Sequence, residues 1–139
     1  MPLKTVVDTN VLLVALSRRS RYHWLYQALI EERYELLVST SIVLEYEEII
    51  GRMMGRETTR DIMGVLLEGV NVHWVDPHYH WHLIKADPED DKFVDCAIAG
   101  GADCIVTYDR HFDVLQEVEY PHVPVVTPEE FRELLESSS

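Results

Sequence analysis

This sequence has few of the residues that supply a covalent or electrostatic shortcut to a fold or a ligand. It has only two cysteines, Cys96 and Cys104, which flank Gly100-Gly101 without C-x-x-C spacing. That spacing excludes a disulfide framework and leaves two buried free thiols in a reducing compartment as the expectation. No apolar run approaches the roughly 20 residues that cross a bilayer, and Met1-Pro2-Leu3-Lys4 leads straight into a strand pattern. A cytoplasmic protein with no membrane segment and no secretory leader is therefore expected. Basic residues are scarce, with 12 Lys and Arg against 25 Asp and Glu and a net charge of −13. Such a balance argues against a protein that grips nucleic acid through a broad basic surface. The bases are also unevenly spread: Arg18, Arg19 and Arg21 cluster, and Arg52, Arg56 and Arg60 recur at every fourth position. One reading of both groups is a solvated helix face with ordinary ion pairs. The other is a local groove for phosphates or a docking face for an acidic partner. No internal repeat, linker, Ser-His-Asp set or Cys-His pair is apparent.

Hydrophobic residues make up 47% of the 139 positions, enough for one globular domain with a core of its own. We expect it to span residues 1–136, with 137–139 as a frayed tail. Strand and helix patterns alternate. Thr5 to Val7, Leu36 to Val38, Val70 to Val75, Cys104 to Thr107 and Val123 to Val126 read as short apolar strands. Between them run helical patterns: Val11 to Leu16, Tyr22 to Glu32, Ser41 to Met54, Thr58 to Leu67, and a helix opened by Asp87-Pro88-Glu89-Asp90 and closed by Gly100-Gly101. Thr127-Pro128 starts the last helix. Short buried strands separated by helices imply a parallel sheet covered on both faces, an α/β fold. Ligands in such folds bind beyond the C-terminal strand ends, at the point where the strand order reverses.

Four acids stand where that architecture would gather them. Asp8 and Asp109 follow strand ends, Glu45 falls in the first turn of its helix, and Asp91 opens another. Helical geometry puts Glu45 at the border of the apolar stripe of Ile42, Val43, Tyr46, Ile49, Ile50 and Met53. Asp91 flanks the face formed by Phe93, Val94, Ala97 and Ile98. Asp95, one turn on, is expected to point further toward solvent, which makes it a secondary candidate. Carboxylates about 5 Å apart repel by roughly 3 kcal/mol at an effective dielectric of about 20, so a converging set needs protons or a cation. Oxygen-only ligands favour Mg²⁺ or Mn²⁺ over Zn²⁺, as one ion or two, and such ions activate water for phosphodiester hydrolysis. Taken singly, Asp8 or Asp109 could simply cap the helix that follows it. His78, His80 and His82 alternate in a segment that reads as an exposed loop or edge, with a zinc site as the alternative. Trp24 and Trp74 are expected in packing roles, and Trp81 in a more open one.

Four stretches together carry a family resemblance: Val6-Val7-Asp8-Thr9-Asn10-Val11-Leu12, Ser41 to Glu45, Asp90-Asp91-Lys92-Phe93-Val94-Asp95-Cys96-Ala97, and Ile105-Val106-Thr107-Tyr108-Asp109. In order and spacing the chain resembles the PilT N-terminal (PIN) domain ribonucleases, in the version found as toxin components of prokaryotic toxin–antitoxin pairs. The resemblance covers nearly the whole chain. It implies a three-layer α/β/α sandwich with a five-stranded parallel sheet. It implies metal ligation and catalysis at Asp8, Glu45, Asp91 and Asp109, with Asp95 as an acid found in part of the family, and supporting roles for Asn10 and Thr107. It further implies Mg²⁺ or Mn²⁺, an RNA substrate, an antitoxin partner and a homodimer. Tyr108 departs from the small or basic residue common at its position, which bears on substrate and not on metal. RNA would be gripped locally, near Arg18, Arg19 and Arg21. Two other readings remain: a catalytically silent scaffold of the same fold that binds RNA or a protein, and a phosphatase of the haloacid dehalogenase type. The second would want Asp-x-Asp after the first strand, where this chain has Asp8-Thr9-Asn10.

Overall fold

The computed structural model describes residues 2–138. Five strands, β1 (Lys4–Val7), β2 (Glu35–Val38), β3 (Val72–Trp74), β4 (Cys104–Val106) and β5 (Val125–Val126), form one parallel sheet in the order β3-β2-β1-β4-β5. Six α-helices connect or flank them: α1 (Thr9–Leu16), α2 (His23–Ile30), α3 (Thr40–Met54), α4 (Arg56–Glu68), α5 (Asp91–Gly100) and α6 (Pro128–Ser138). The α/β expectation and the five-stranded parallel sheet are both met. Two 3-10 segments, Pro88–Asp90 and Arg110–Glu117, replace what the sequence pattern suggests as α-helical turns.

The central strands have no solvent-facing side. Val6, Val7, Leu36, Val38, Ile105 and Val106 are fully buried, as a sheet sandwiched between helix layers requires. Both cysteines are buried free thiols. Burial pushes the Cys96 thiol up to about 12 and the Cys104 thiol up to about 11, so neither is a nucleophile near neutral pH.

The strand order fixes the site. From β1 the chain moves outward on one side to β2 and β3, and later returns to the other side for β4 and β5. The order therefore reverses between β1 and β4, which opens a crevice just past their C-terminal ends. Val7 is in register with Val106, and the Asp8 amide donates to Val106 O at 3.0 Å. Asp8 and Thr107 thus leave the sheet side by side. The expected frayed end is helical as far as it is described: Ser137 and Ser138 lie in α6 and bond back to Glu133 O and Leu135 O. Ser139 lies outside the described residues.

Candidate metal centre

Asp8 occupies the capping position before α1, yet its side chain makes no capping bond. It accepts instead from the Thr107 hydroxyl at 2.8 Å, and that hydroxyl oxygen accepts the Asp109 amide at 2.9 Å. The Thr107 hydrogen is thereby committed to Asp8, and the two strand ends are locked together. Tyr46, fully buried on α3, donates to Val7 O and pins the end of β1 from below. Asp8 is only 6% exposed. Burial raises its carboxyl pKa, against the Thr107 bond, and the charges of Asp109 and Glu45 raise it further. Asp109 does cap: its Oδ1 accepts from the His111 amide at 2.9 Å and lies 3.3 Å from His111 Nδ1.

Glu45 lies in the second turn of α3, not the first, because Ser39, rather than a residue nearer Ser41, caps the helix by accepting from the Ile42 amide. Both its oxygens are engaged. Thr9 donates to Oε2, and Lys92 Nζ sits 2.7 Å from Oε1 and 3.5 Å from Glu89. Burial works against the charge of Lys92, but Glu45 and Glu89 outweigh it and raise the ammonium pKa. Thr9 and Lys92 are partners that the sequence pattern does not single out.

The start of α5 holds the main surprise. Asp91 is buried, but its Oδ1 accepts from the Ile84 amide at 2.9 Å and its Oδ2 faces His82 Nδ1 at 3.8 Å. Asp95 does not turn to solvent as expected. It is 4% exposed, because the irregular segment 75–87 folds over it and supplies the Trp81 amide at 3.0 Å and His80 Nδ1 at 3.1 Å. These two acids anchor that segment. The acid electrostatically joined to Asp8 and Asp109 is the neighbour, Asp90. Its carboxyl is pushed up to about 7, first by burial and then by the charges of Asp87, Asp109 and Asp8. Its Oδ2 is buried with no hydrogen-bond partner, and His111 Nδ1 lies 4.0 Å from it. Among the described residues, Asp87, Asp90 and His111 can each bring one ligand atom within 4.8 Å of the others. Asp90 escapes a sequence reading because Asp87-Pro88-Glu89-Asp90 looks like an ordinary helix start. The one available signal is the Asp87/Asp90 spacing, which a 3-10 turn stacks on one side.

The remaining candidates are dispersed. Asn10 lines a cavity of about 410 Å³ together with Asp8, Asp109, Tyr22 and Tyr108. Arg21 flanks it through Tyr22, whereas Arg18 lines a separate cavity with Glu31, Glu57 and Asp61. Arg19 is exposed. His80 and His82 face Asp95 and Asp91, and among the described residues the three alternating histidines join no three-ligand group. Trp24 packs on Phe131, while Trp74 is 45% exposed and ties its indole to Leu66 O.

A sequence profile described as the PIN domain matches residues 4–111. The chain belongs to the PIN domain family. Solved structures superpose on 78–99% of it. VapBC2 from Rickettsia felis, bound to a DNA fragment from their promoter, is 14% identical, with 90% of this chain and 98% of that chain covered and a TM-score of 0.61. Mycobacterium tuberculosis VapC20, a Sarcin-Ricin loop cleaving toxin, is 12% identical over 78% of this chain and 92% of that one, with a TM-score of 0.58. The T. brucei RRP44 PIN domain is 11% identical over 99% and 83%, with a TM-score of 0.56. At these identities the likeness establishes the PIN fold. A search of curated proteins finds no match to this chain.

Proposed function

We propose that this PIN domain is a divalent-metal-dependent endoribonuclease, acting as the toxin component of a toxin–antitoxin pair. The observation that carries this reading is the partly buried, under-neutralised carboxylate group at the sheet's reversal point. Asp8, Asp90 and Asp109 repel one another there, and Asp90 Oδ2 is buried without a hydrogen bond, its nearest cation-forming group being His111 Nδ1 at 4.0 Å. A hard divalent cation fits that donor set, since carboxylate oxygens suit Mg²⁺ or Mn²⁺. Asp90 would hold it with Asp87 and His111, whose ligand atoms lie within 4.8 Å of one another, and Asp8 and Asp109 would face it as the neighbouring charges. Glu45, clamped by Thr9 and Lys92, would complete the acidic wall, with Asp91 and Asp95 at its far side. When bound, the ion supplies a water of lowered pKa and neutralises charge on the phosphoryl oxygens. Thr107 fixes the direction of the Asp8 carboxylate, Asn10 offers an amide at the cavity mouth, and Lys92 is a protonated cation beside the site. An RNA substrate is supported by the VapC20 likeness, and a protein partner by the likeness to the VapBC2 assembly. A homodimer in the cytoplasm completes the reading.

Asp8→Asn keeps an acceptor for Thr107 and removes the charge. It is expected to abolish Mn²⁺-dependent cleavage of a mixed RNA pool while leaving the circular dichroism spectrum and melting cooperativity intact. Cleavage at the wild-type rate in a folded Asp8→Asn protein would rule the proposal out.

A further inference from the structure

The cavity beside Asp8 and Asp109 is not purely acidic. Its other lining residues are Asn10, Val11, Val14, Tyr22 and Tyr108, and Tyr108 adjoins Asp109 in the chain. The two rings meet edge to face, with centroids 5.8 Å apart. Their hydroxyls are tied down at the rim. The Tyr22 hydroxyl accepts from Arg21 at 2.7 Å and lies 2.6 Å from the Tyr108 hydroxyl, which donates to Glu129 in the first turn of α6. Three segments therefore converge to hold two aromatic rings in place, although Tyr108 is 47% exposed and Val14 41%. Such exposure is not what core packing would give.

We infer that Tyr22 and Tyr108 form a stacking subsite for an unpaired nucleobase next to the scissile phosphate. This rests on the proposed ribonuclease reading. Three features favour a nucleotide as the occupant. The cavity joins apolar and aromatic lining to the carboxylates that would engage the backbone through the ion. A base stacks on aromatic faces whatever its identity. Arg21, whose guanidinium lies 4.9 Å from the Tyr22 ring centroid, is the cation at that rim and suits the adjoining phosphate. A base inside a duplex could not enter, because its faces are already stacked.

Binding is read by fluorescence anisotropy with short labelled oligoribonucleotides in Ca²⁺, and KM by cleavage in Mn²⁺. One probe is an unstructured pyrimidine strand. A second has the same backbone without bases, and a third is the same strand in a duplex. Tyr108→Ala and Tyr22→Ala are expected to weaken the base-bearing strand about tenfold each, while Tyr108→Phe and Tyr22→Phe retain most of the affinity. The baseless strand and the duplex should bind weakly and equally to the wild type and every variant. Tyr108→Leu keeps apolar bulk and should behave as the alanine variant does. Equal losses on the baseless strand, or no loss at all, would overturn the stacking role. A change in self-association with RNA affinity unmoved would also overturn it, and would assign the rings to a protein contact. Failure of the ribonuclease reading shows separately, as cleavage that survives Asp8→Asn.

Discussion

Replacing Asp90 by Asn tests the electrostatics of the site without requiring a substrate. In the metal-free protein above neutral pH, the Asp90 carboxylate is ionised beside Asp87, Asp109 and Asp8. The ligand oxygens of Asp87 and Asp90 come within 4.8 Å, which corresponds to about 3.5 kcal/mol of repulsion at an effective dielectric of about 20. The rise of its carboxyl from 3.8 to about 7 comes first from burial and only then from these charges, so its equivalent of about 4 kcal/mol, at 1.4 kcal/mol per unit, is an upper bound on the cost of ionisation and not a second measure of the repulsion. Solvent reaches Asp87 and the unfolded chain keeps part of the repulsion, so about 2 kcal/mol is expected to be recovered on neutralisation. For a domain of this size that corresponds to a Tm about 6–10 °C higher. A saturating divalent cation should reverse the order. At about 100 times its Kd it stabilises the wild type by about 2.7 kcal/mol, and the variant, short of one ligand, by less. Differential scanning calorimetry at pH 8, with EDTA and then with Mn²⁺, reads both arms. A variant that melts below the wild type in EDTA would mean that Asp90 is a stabilising partner and not a strained metal ligand.

Two further predictions follow from the same charges. Asp8 and Asp90 have folded-state pKa values above their ordinary 3.8, about 7 in the case of Asp90. The folded chain therefore holds more protons than the unfolded one. This contribution to stability is complete below about pH 4 and is lost as pH rises through about 7. Metal-free melting temperatures should fall across that window while the increment given by Mn²⁺ grows; an increment that shrinks with pH would contradict the assignment. Lys92→Met should strand Glu45 without its counter-charge and cost about 1–2 kcal/mol for a pair that is partly open to water. Glu45→Gln in the same chain should restore much of the loss, as a urea-denaturation double-mutant cycle would measure.

Asp8, Thr107 and Asp109 are legible in the sequence because apolar runs fix where strands end. A parallel sheet then fixes what lies beyond those ends. Glu45 is the sixth residue of α3, just past its first turn, because the helix starts at Thr40 with Ser39 as its cap, a boundary that only the bond from the Ile42 amide reveals. Asp95 was misjudged for a different reason. Its burial comes from the segment 75–87, which has no periodicity and whose course is set by contacts far along the chain, such as the Trp81 amide on Asp95 and the Ile84 amide on Asp91.

The exchange of Asp90 for Asp91 as the acid joined to Asp8 shows how small a local difference can redirect a site. An α-helical start rotates successive residues by about 100°, whereas a 3-10 turn rotates them by about 120° and rises faster. Over Pro88–Asp90 that difference is enough to bring Asp90 beside Asp109 and to leave Asp91 facing the Ile84 amide. Two consecutive aspartates therefore take different places: Asp91 secures the covering segment, and Asp90 keeps an oxygen without a hydrogen bond, 4.0 Å from His111 Nδ1. Lys92 follows immediately and points its ammonium at Glu45. Among the described residues it is the one Lys or Arg in ion-pair contact with any of these acids. The Asp90-Asp91-Lys92 triplet thus sets a carboxyl without a hydrogen bond on one oxygen, a structural anchor and a paired cation side by side at one helix start. Net charge alone, at −13, could not have separated those roles.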